Sequence, residues 1–580
     1  MKKIINKPEN LVLEMCNGIV TAHSDLELIR KYKVIKKKEI NKEKVTLISG
    51  GGSGHEPAHA GFIGKGMIDC AVCGDVFASP SQIQIYKALT ETVSDKGTLL
   101  VIKNYSGDMM NFKNAARLAE EDGIVVDFVK VNDDIAVEDS LYTVGKRGVA
   151  GTVLVHKVAG AKAQTGASLA EVKAAAENAI KNLASIGFAL SSCTVPAKGT
   201  PTFDIEDGEM EYGVGIHGEP GISRQETISA DELAEKMVND LVANQELTDK
   251  DEITLLLNGF GSTPLMELYL FCNSVMKVLE EKQINVYRIF VGNYMTSIDM
   301  LGASLTFMKM NDELKELVDA ECETPALRVT GEAPAVSYEA LDPVGANKTE
   351  TYEMLVGEEA AVIKDVITYE NVKYMVDKMG QIIIDNEVPF CELDSFAGDG
   401  DFGMSVSKGF RKVKDEWQEL IQAENISDFL LESSMIIMEN CGGASGPIWG
   451  SAFRAAAKYA SPTSEMTLEE FAKMIEAALL GIQKTGEYSF GRGAVIGDKT
   501  LVDALAPFSS ALLENTDKDI KVAFEKAAMA SVAGAESTKE IVARMGRAGT
   551  VGERSLGYPD AGAHALGVIF TEIYNSLVFN

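Results

Sequence analysis

The sequence predicts a multidomain fold, an α/β half followed by an all-α half, and three observations predict it. Through about residue 330, apolar runs rich in β-branched residues alternate with helical patterns, as α/β architecture requires. After about residue 358, helical periodicity continues to the end and β-rich runs are scarce. Between them, residues 331–357 carry two prolines and many small or polar side chains without a sustained period, as a linker does. At 580 residues the chain is too long for one core. The expected organisation is therefore 1–330, a linker at 331–357, and 358–580, with a subdivision of the first half near 185–195.

The strand candidates of the first half are VTLI (45–48), TLLVI (98–102), IVVDFV (124–129), ITLLL (253–257) and YRIFV (287–291). Two of its helices open with capping boxes, Ser168 with Glu171 and Ser229 with Glu232. A third box, Thr467 with Glu470, opens a helix of the second half that carries Phe471, Met474, Ile475, Ala478, Leu479 and Ile482 on one face.

Composition is that of a globular protein, 46% hydrophobic and 24% charged, with a net charge of −31. So acidic a chain is a poor partner for nucleic acid or anionic membranes, which need basic patches. No run approaches the ~18 apolar residues of a membrane span. The basic start lacks an apolar segment, so no signal peptide is expected. The eight cysteines are scattered. Cys70 and Cys73 form a C-x-x-C pair inside an apolar run, read as two buried cysteines on a strand rather than a redox or zinc pair. A reduced, cytoplasmic location is the expectation.

In open α/β sheets, ligands bind beyond the carboxyl ends of strands. After the first strand stands GGGSGHEP, with Gly52, Ser53, Gly54 and His55. Glycines there let a ligand approach the backbone closely, but no G-K-[ST] follows, so this is not a Walker loop. His55 is structural or chemical on this evidence alone. Ser79, in GDVFASPS, reads as a Ser-Pro turn. Lys103 and Asp108 follow another strand, five residues apart, as a surface ion pair or as a charge holder and a general base. His217 lies between glycines in GVGIHGEPG, with little side-chain packing nearby, and an imidazole there can add to a carbonyl carbon as a nucleophile.

In the second half, DSFAGDGDFG places Asp394, Asp399 and Asp401 within eight residues. Such a cluster repels itself by roughly 1 kcal/mol per close pair even in water. Hard oxygen ligands suit Mg²⁺, which binds through a few carboxylates and substrate phosphates. A calcium EF-hand loop is excluded, since a loop starting at Asp399 puts Phe410 at position twelve and one starting at Asp394 puts Phe396 at position three. A solvated acidic turn is the remaining alternative.

Together these segments resemble the dihydroxyacetone kinase family. GGGSGHEP, KNYSGDMMNF, GVGIHGEPG and NGFGSTPLMELY are similar to its substrate-binding part. DSFAGDGDFG, GGASGP, GDKTLVDAL, GERSLG and GYPDAGA are similar to its nucleotide-binding part. Both parts in one chain resemble the ATP-dependent type. The resemblance implies two α/β subdomains in the first half and a helical barrel in the second. It implies that His217 binds the ketone carbon of dihydroxyacetone as a hemiaminal, that Asp108 is the general base, and that His55 assists. It implies that Gly52, Ser53, Gly54, Lys103 and Ser79 position the substrate. It implies that Asp394, Asp399 and Asp401 hold two Mg²⁺ ions against ATP, and that Phe402, Gly403, Ala444, Ser445, Gly486, Arg547, Asp560, Ala561 and Gly562 contact the nucleotide. Tyr558 and Ala561 stand where the family more often has histidine and proline. GEYSFGRGAV (486–495) reads as a loop longer than in separate subunits. A homodimer is implied, with either service within one chain or across the pair. Relatives act on erythrulose and glyceraldehyde, some cyclise flavin dinucleotide, and some homologues of the first half are non-enzymatic regulators.

Overall fold

The computed structural model describes residues 3–137, 145–341, 353–546, 549 and 551–580. Two compact units are present, Met1–Val344 and Gly345–Asn580. Much of the expected linker (342–352) and Arg547 lie outside the described residues.

The first unit holds two six-stranded sheets. One contains β1 (Leu26–Ile29), β2 (Val34–Lys37), β3 (Thr46–Ser53), β4 (Cys70–Val76), β5 (Thr98–Lys103) and β6 (Val126–Val131), in the order β1-β2-β4-β3-β5-β6. Strands β4, β3, β5 and β6 run parallel, and β3 and β5 are buried along their whole length. Continuous apolar runs such as TLLVI are what a strand covered on both faces requires. The second sheet contains β7 (Leu183–Ala189), β8 (Glu209–Tyr212), β9 (Ser223–Glu226), β10 (Glu252–Gly259), β11 (Asn285–Gly292) and β12 (Gly302–Lys309), in the order β11-β10-β12-β7-β8-β9. Only β10 and β11 pair in parallel there.

Helices α1 (Leu11–Ala22), α2 (Gln82–Glu91), α3 (Ser106–Glu121), α4 (Thr152–Gln164), α5 (Leu169–Lys181), α6 (Ala230–Gln245), α7 (Leu265–Glu281) and α8 (Asp312–Asp319) accompany these sheets. The capping boxes read at Ser168 and Ser229 open α5 and α6. Cys70 and Cys73 are buried on β4, as expected.

The strand expected at 45–48 continues through Ser53, so Gly50, Gly51 and Gly52 stand inside β3 and only Gly54 follows it. The reason is steric. A Cβ at Gly50 would meet Val72 O of β4 at 2.4 Å, and one at Gly52 would meet Ala78 N at 2.7 Å. Neighbouring backbone passes too close for any side chain, while the strand hydrogen bonds persist.

The second unit is helical apart from two pairs of two-residue strands. Its helices are α9 (Tyr369–Asp385), α10 (Glu387–Asp394), α11 (Phe402–Asp415), α12 (Trp417–Leu420), α13 (Ile426–Asn440), α14 (Ser445–Ala460), α15 (Leu468–Phe490), α16 (Val502–Leu513), α17 (Ile520–Ser537) and α18 (Ala561–Ser576). They surround one apolar core that includes Phe410, Trp449, Phe471 and Phe524. The Thr467 box opens α15, which runs on to Phe490 and ends at Gly491 in the left-handed region, φ +77°. Residues 486–490, read from sequence as part of a loop, are therefore helical. The apolar face ends at Ile482, so the last two turns are mostly polar and exposed and carry no periodic signal, and the left-handed glycine provides the stop. Among the described residues, no helix is long and apolar enough to cross a membrane.

Candidate active site

The first unit gathers its chemical side chains beyond the carboxyl ends of β3, β4 and β5. Strand β3 delivers Ser53, Gly54 and His55, β5 ends on Lys103, and Asp108 sits in the first turn of α3. The second sheet contributes two more groups. His217 stands on the segment between β8 and β9, and Thr296 follows β11. Backbone hydrogen bonds join the two sheets here, from Thr296 N to His55 O (3.1 Å) and from Ile298 N to Gly54 O (2.8 Å).

His55 is fully buried, and its Nδ1 lies 2.9 Å from the Thr296 carbonyl. A carbonyl only accepts, so Nδ1 carries the proton. Burial first, then the closeness of His217 and the charge of Lys103, hold His55 well below the usual histidine range, so its ring is neutral and Nε2 is a lone pair. That Nε2 lies 3.2 Å from Nε2 of His217. The proton between them therefore belongs to His217. Burial, then Lys103, then Arg147 lower His217 to about 3, so it too is neutral. Phe77 stacks on His55 at 5.3 Å, and Phe77 and Tyr105 meet His217 edge-on at 5.3 and 4.5 Å.

The His217 loop is held by an ion network. Glu219 accepts from the His217 backbone N–H (2.9 Å) and from Arg147 (3.0 Å). Arg147, 2% exposed, also donates to Asp134 (2.7 Å) and to the Gly213 carbonyl (3.0 Å). Beside the histidines, Asp108 accepts from Ser79 Oγ (2.5 Å) and from Lys103 Nζ (3.4 Å). Lys103 and Asp108 are thus a buried pair and not a surface one, and Ser79 is tied to the carboxylate instead of ending an ordinary turn. Sequence reading missed Phe77, Arg147 and Thr296. Each reaches the histidines from a distant element, and local pattern carries no signal for that.

The buried neutral histidines give a pH prediction. His156, buried nearby, is lowered to about 3 by burial and then by Lys103. A histidine takes up a proton on unfolding at any pH between its folded value and about 6.5. The unfolded state then binds more protons, so the stability it contributes falls as pH drops through that window, by on the order of 1 kcal/mol per pH unit. A His156→Leu chain should lose less stability than wild type between pH 6.5 and 5, measured by thermal unfolding at each pH.

In the second unit, a cleft of about 200 Å³ is lined by the aspartate run, by Gly442–Ser445, by Lys499–Leu501 and by Pro559–Gly562. One ligand oxygen from each of Asp394, Asp399 and Asp401 lies within 4.8 Å of the others. Asp394 ends α10, Asp401 immediately precedes α11 without capping it through its side chain, and Gly400 turns between them at φ +77° while donating its N–H to Asp394 (2.9 Å). Burial, then the charges of Asp399 and Asp401, raise Asp394 above the usual carboxylate range. The first residues of α11, α14 and α18 all reach this cleft, through Phe402, Ser445 and Ala561. Helix N-termini present free N–H groups and a partial positive charge, which suits phosphate oxygens.

Lys499 lines the same cleft, yet it donates to the carbonyls of Thr538 and Tyr558 (both 2.8 Å) and of Ser555. It braces the loop that leads to Asp560. Asp560 caps α18 through the Ala563 N–H (2.8 Å) and is raised to about 7 by burial and by the Asp503 and Asp394 charges. Tyr558 stacks on Phe396 at 3.8 Å, joining this loop to the aspartate run. Phe402, Ala444, Ser445, Asp560, Ala561 and Gly562 all line the cleft. Gly403 lies against α10, where a Cβ would meet Glu387 O at 2.0 Å. Gly486 is placed in α15 against residues 492–494 and is not among the lining residues.

Three carboxylates with oxygens this close fit a hard divalent cation, and the surrounding N-termini fit the phosphates it would bridge. Residues 17–326 match the Dak1 domain and residues 396–575 match the DAK2 domain. The chain is 50% identical to the dihydroxyacetone-binding subunit of the PTS-dependent dihydroxyacetone kinase of Lactococcus lactis, over 54% of this chain and 94% of that one. It is 34% identical to the L-erythrulose 1-kinase of Mycolicibacterium smegmatis, over 97% of each chain. The solved dihydroxyacetone kinase of C. freundii in complex with AMP-PNP and Mg²⁺ is similar over 99% of both chains, at 31% identity and a TM-score of 0.60. Fold and sites together define a two-unit kinase. The chain belongs to the dihydroxyacetone kinase family.

Proposed function

We propose that the protein transfers the γ-phosphoryl group of ATP to dihydroxyacetone, with the ketone held on His217. The contact of 3.2 Å between two neutral imidazoles carries this reading, because it joins a nucleophile directly to a proton acceptor. The His217 Nε2 proton passes to the His55 Nε2 lone pair as His217 Nε2 bonds the ketone carbon. His55 returns the proton to the former carbonyl oxygen, leaving a neutral hemiaminal. Glycerol, without a carbonyl, is excluded. Asp108 then accepts the proton of the attacking terminal hydroxyl. Ser79 and Lys103 hold its carboxylate, and the backbone of Gly52, Ser53 and Gly54 would position the sugar.

In the helical unit, Asp394, Asp399 and Asp401 are the residues that would hold Mg²⁺, and bound Mg²⁺ would neutralise the charge of the phosphates. The α11, α14 and α18 N-termini would bind phosphate oxygens. The similarity to a kinase solved with AMP-PNP and Mg²⁺ supports ATP as donor. The similarity to an L-erythrulose 1-kinase supports a second reading, a longer ketose in the same pocket.

Incubation of the purified protein with Mg-ATP and dihydroxyacetone should release ADP and yield dihydroxyacetone phosphate. A folded protein releasing no ADP refutes the proposal, and competition with erythrulose and glyceraldehyde decides between the sugars. Gly51 gives a sharper check. A Cβ there would stand 2.4 Å from Lys103 Nζ and 3.5 Å from Asp108. Because it meets the flexible end of Lys103, Gly51→Ala should displace the ammonium and leave the fold intact, with kcat reduced roughly 100-fold.

A further inference from the structure

Behind the pocket, a line of buried polar side chains runs inward from Asp108 through Lys103, and its inner members, His59, His156 and Ser49, take no part in the steps above. Lys103 Nζ lies 3.4 Å from Asp108 Oδ2, 3.5 Å from Gly50 O and 3.2 Å from Nε2 of His59. His59 Nδ1 in turn lies 3.0 Å from Nε2 of His156 and 3.3 Å from Ser49 Oγ. Lys103, Ser49 and His156 have no exposed surface, and His59 is 5% exposed. His156 Nδ1 has no partner among the described residues.

The proton positions follow from Lys103 outward. An ammonium has donors only, so His59 must present a lone pair at Nε2. Burial, then the charge of Lys103 and the closeness of His156 and His55, keep His59 well below the usual histidine range, so the ring is neutral. Its single proton is therefore on Nδ1 and points to His156 Nε2. Ser49 donates its own proton to the Val101 carbonyl (2.7 Å), leaving its oxygen to accept from His59 as well. His156, neutral too, then carries its proton on the unpartnered Nδ1. One charge fixes two tautomers, and in return His59 is the side chain opposite Asp108 that holds the Lys103 ammonium in place.

We propose that His59 is a positioning residue for phosphoryl transfer, the neutral acceptor that orients Lys103 against Asp108, with His156 fixing its tautomer. The inference rests on the proposed function, in which Asp108 receives the hydroxyl proton. It separates the two halves of the chemistry. Carbonyl capture by His217 and His55 does not use this line, whereas proton removal at the terminal hydroxyl does.

Three full-length chains test it: wild type, His59→Leu and His59→Gln. Each is assayed for ADP release with Mg-ATP and dihydroxyacetone, and for the His217 adduct by native mass spectrometry of the intact chain. The expected result is a kcat at least tenfold lower in His59→Leu, with the adduct retained and KM within a few-fold. His59→Gln, which still offers an acceptor to Lys103, should recover most of the rate. A role in packing alone favours leucine, or slows both variants equally. A His59→Leu chain with wild-type kcat, equal loss in both variants, or adduct lost in step with rate overturns the proposal.

If His59→Leu does not fold, nitrogen NMR of the wild-type chain labelled at its six histidines decides. His59 and His156 should both be neutral with the proton on Nδ1, and a cationic ring or an Nε2 proton on His59 refutes the assignment. A wild type with neither adduct nor ADP release defeats the functional reading instead, so the two failures are distinct.

Discussion

Replacing His217 with alanine should abolish the covalent adduct with dihydroxyacetone and lower phosphorylation at least ~1000-fold, a loss typical of a removed nucleophile. The geometry gives this variant a clean readout. His217 is held by its loop and not by core packing. Its backbone N–H is fixed by Glu219 and its ring meets Phe77, Tyr105 and His55, so alanine removes the imidazole and leaves the Arg147 network intact. The folded chain should still bind Mg-ATP in its helical unit. Because His217 is lowered to about 3, the wild-type adduct should form equally well from pH 8 down to pH 5. A histidine with an ordinary value would lose its lone pair below about 6.5. Native mass spectrometry of the intact chain, repeated across that range, measures both effects. An adduct that survives in the alanine variant refutes His217 as the attachment point, and one that fades below pH 6.5 refutes the neutral pair.

Local chemistry was legible in the sequence wherever the cause was local. Capping boxes at Ser168, Ser229 and Thr467 stand at helix starts because their hydrogen bonds close within four residues. The five expected strands lie in β3, β5, β6, β10 and β11, with ends displaced by up to five residues. The displacement at β3 has a tertiary cause, since Gly50 and Gly52 serve close strand approach and not a turn. The three aspartates could be paired with one another from spacing alone. The groups that reach across the chain could not. Arg147 clamps Glu219 from 72 positions away, and Thr296 orients His55 from 241. Lys499 hides its role for another reason. A lysine beside acidic residues reads as an ion pair, whereas here its donors satisfy three backbone carbonyls. His59 and His156 lie outside every motif, and only the contact of His59 with Lys103, and of His156 with His59, distinguishes them.

Asp401→Asn should lower kcat/KM for Mg-ATP by about 1000-fold, and in the absence of Mg²⁺ it should leave the chain as stable as wild type or slightly more so. The two signs have one cause. With Asp394, Asp399 and Asp401 presenting oxygens within 4.8 Å, the cluster without a cation is self-repelling by roughly 1 kcal/mol per close pair. Asparagine removes one charge, keeps the size, and remains a good residue to precede α11. It also relieves Asp394, whose raised value reflects burial together with the Asp399 and Asp401 charges. Thermal unfolding with EDTA measures the first arm, and an Mg²⁺ titration of both chains measures the second. Wild type should gain stability steeply with Mg²⁺ and nucleotide, as any chain that binds a ligand only when folded does. The variant should gain little. Wild-type activity should vanish with EDTA and return with Mg²⁺. A variant that phosphorylates normally, or a wild type indifferent to EDTA, would show the aspartates to be a solvated turn. Destabilisation of the variant without Mg²⁺ would instead show that the Asp401 carboxylate supports the fold, since relief of repulsion can only act in the other direction.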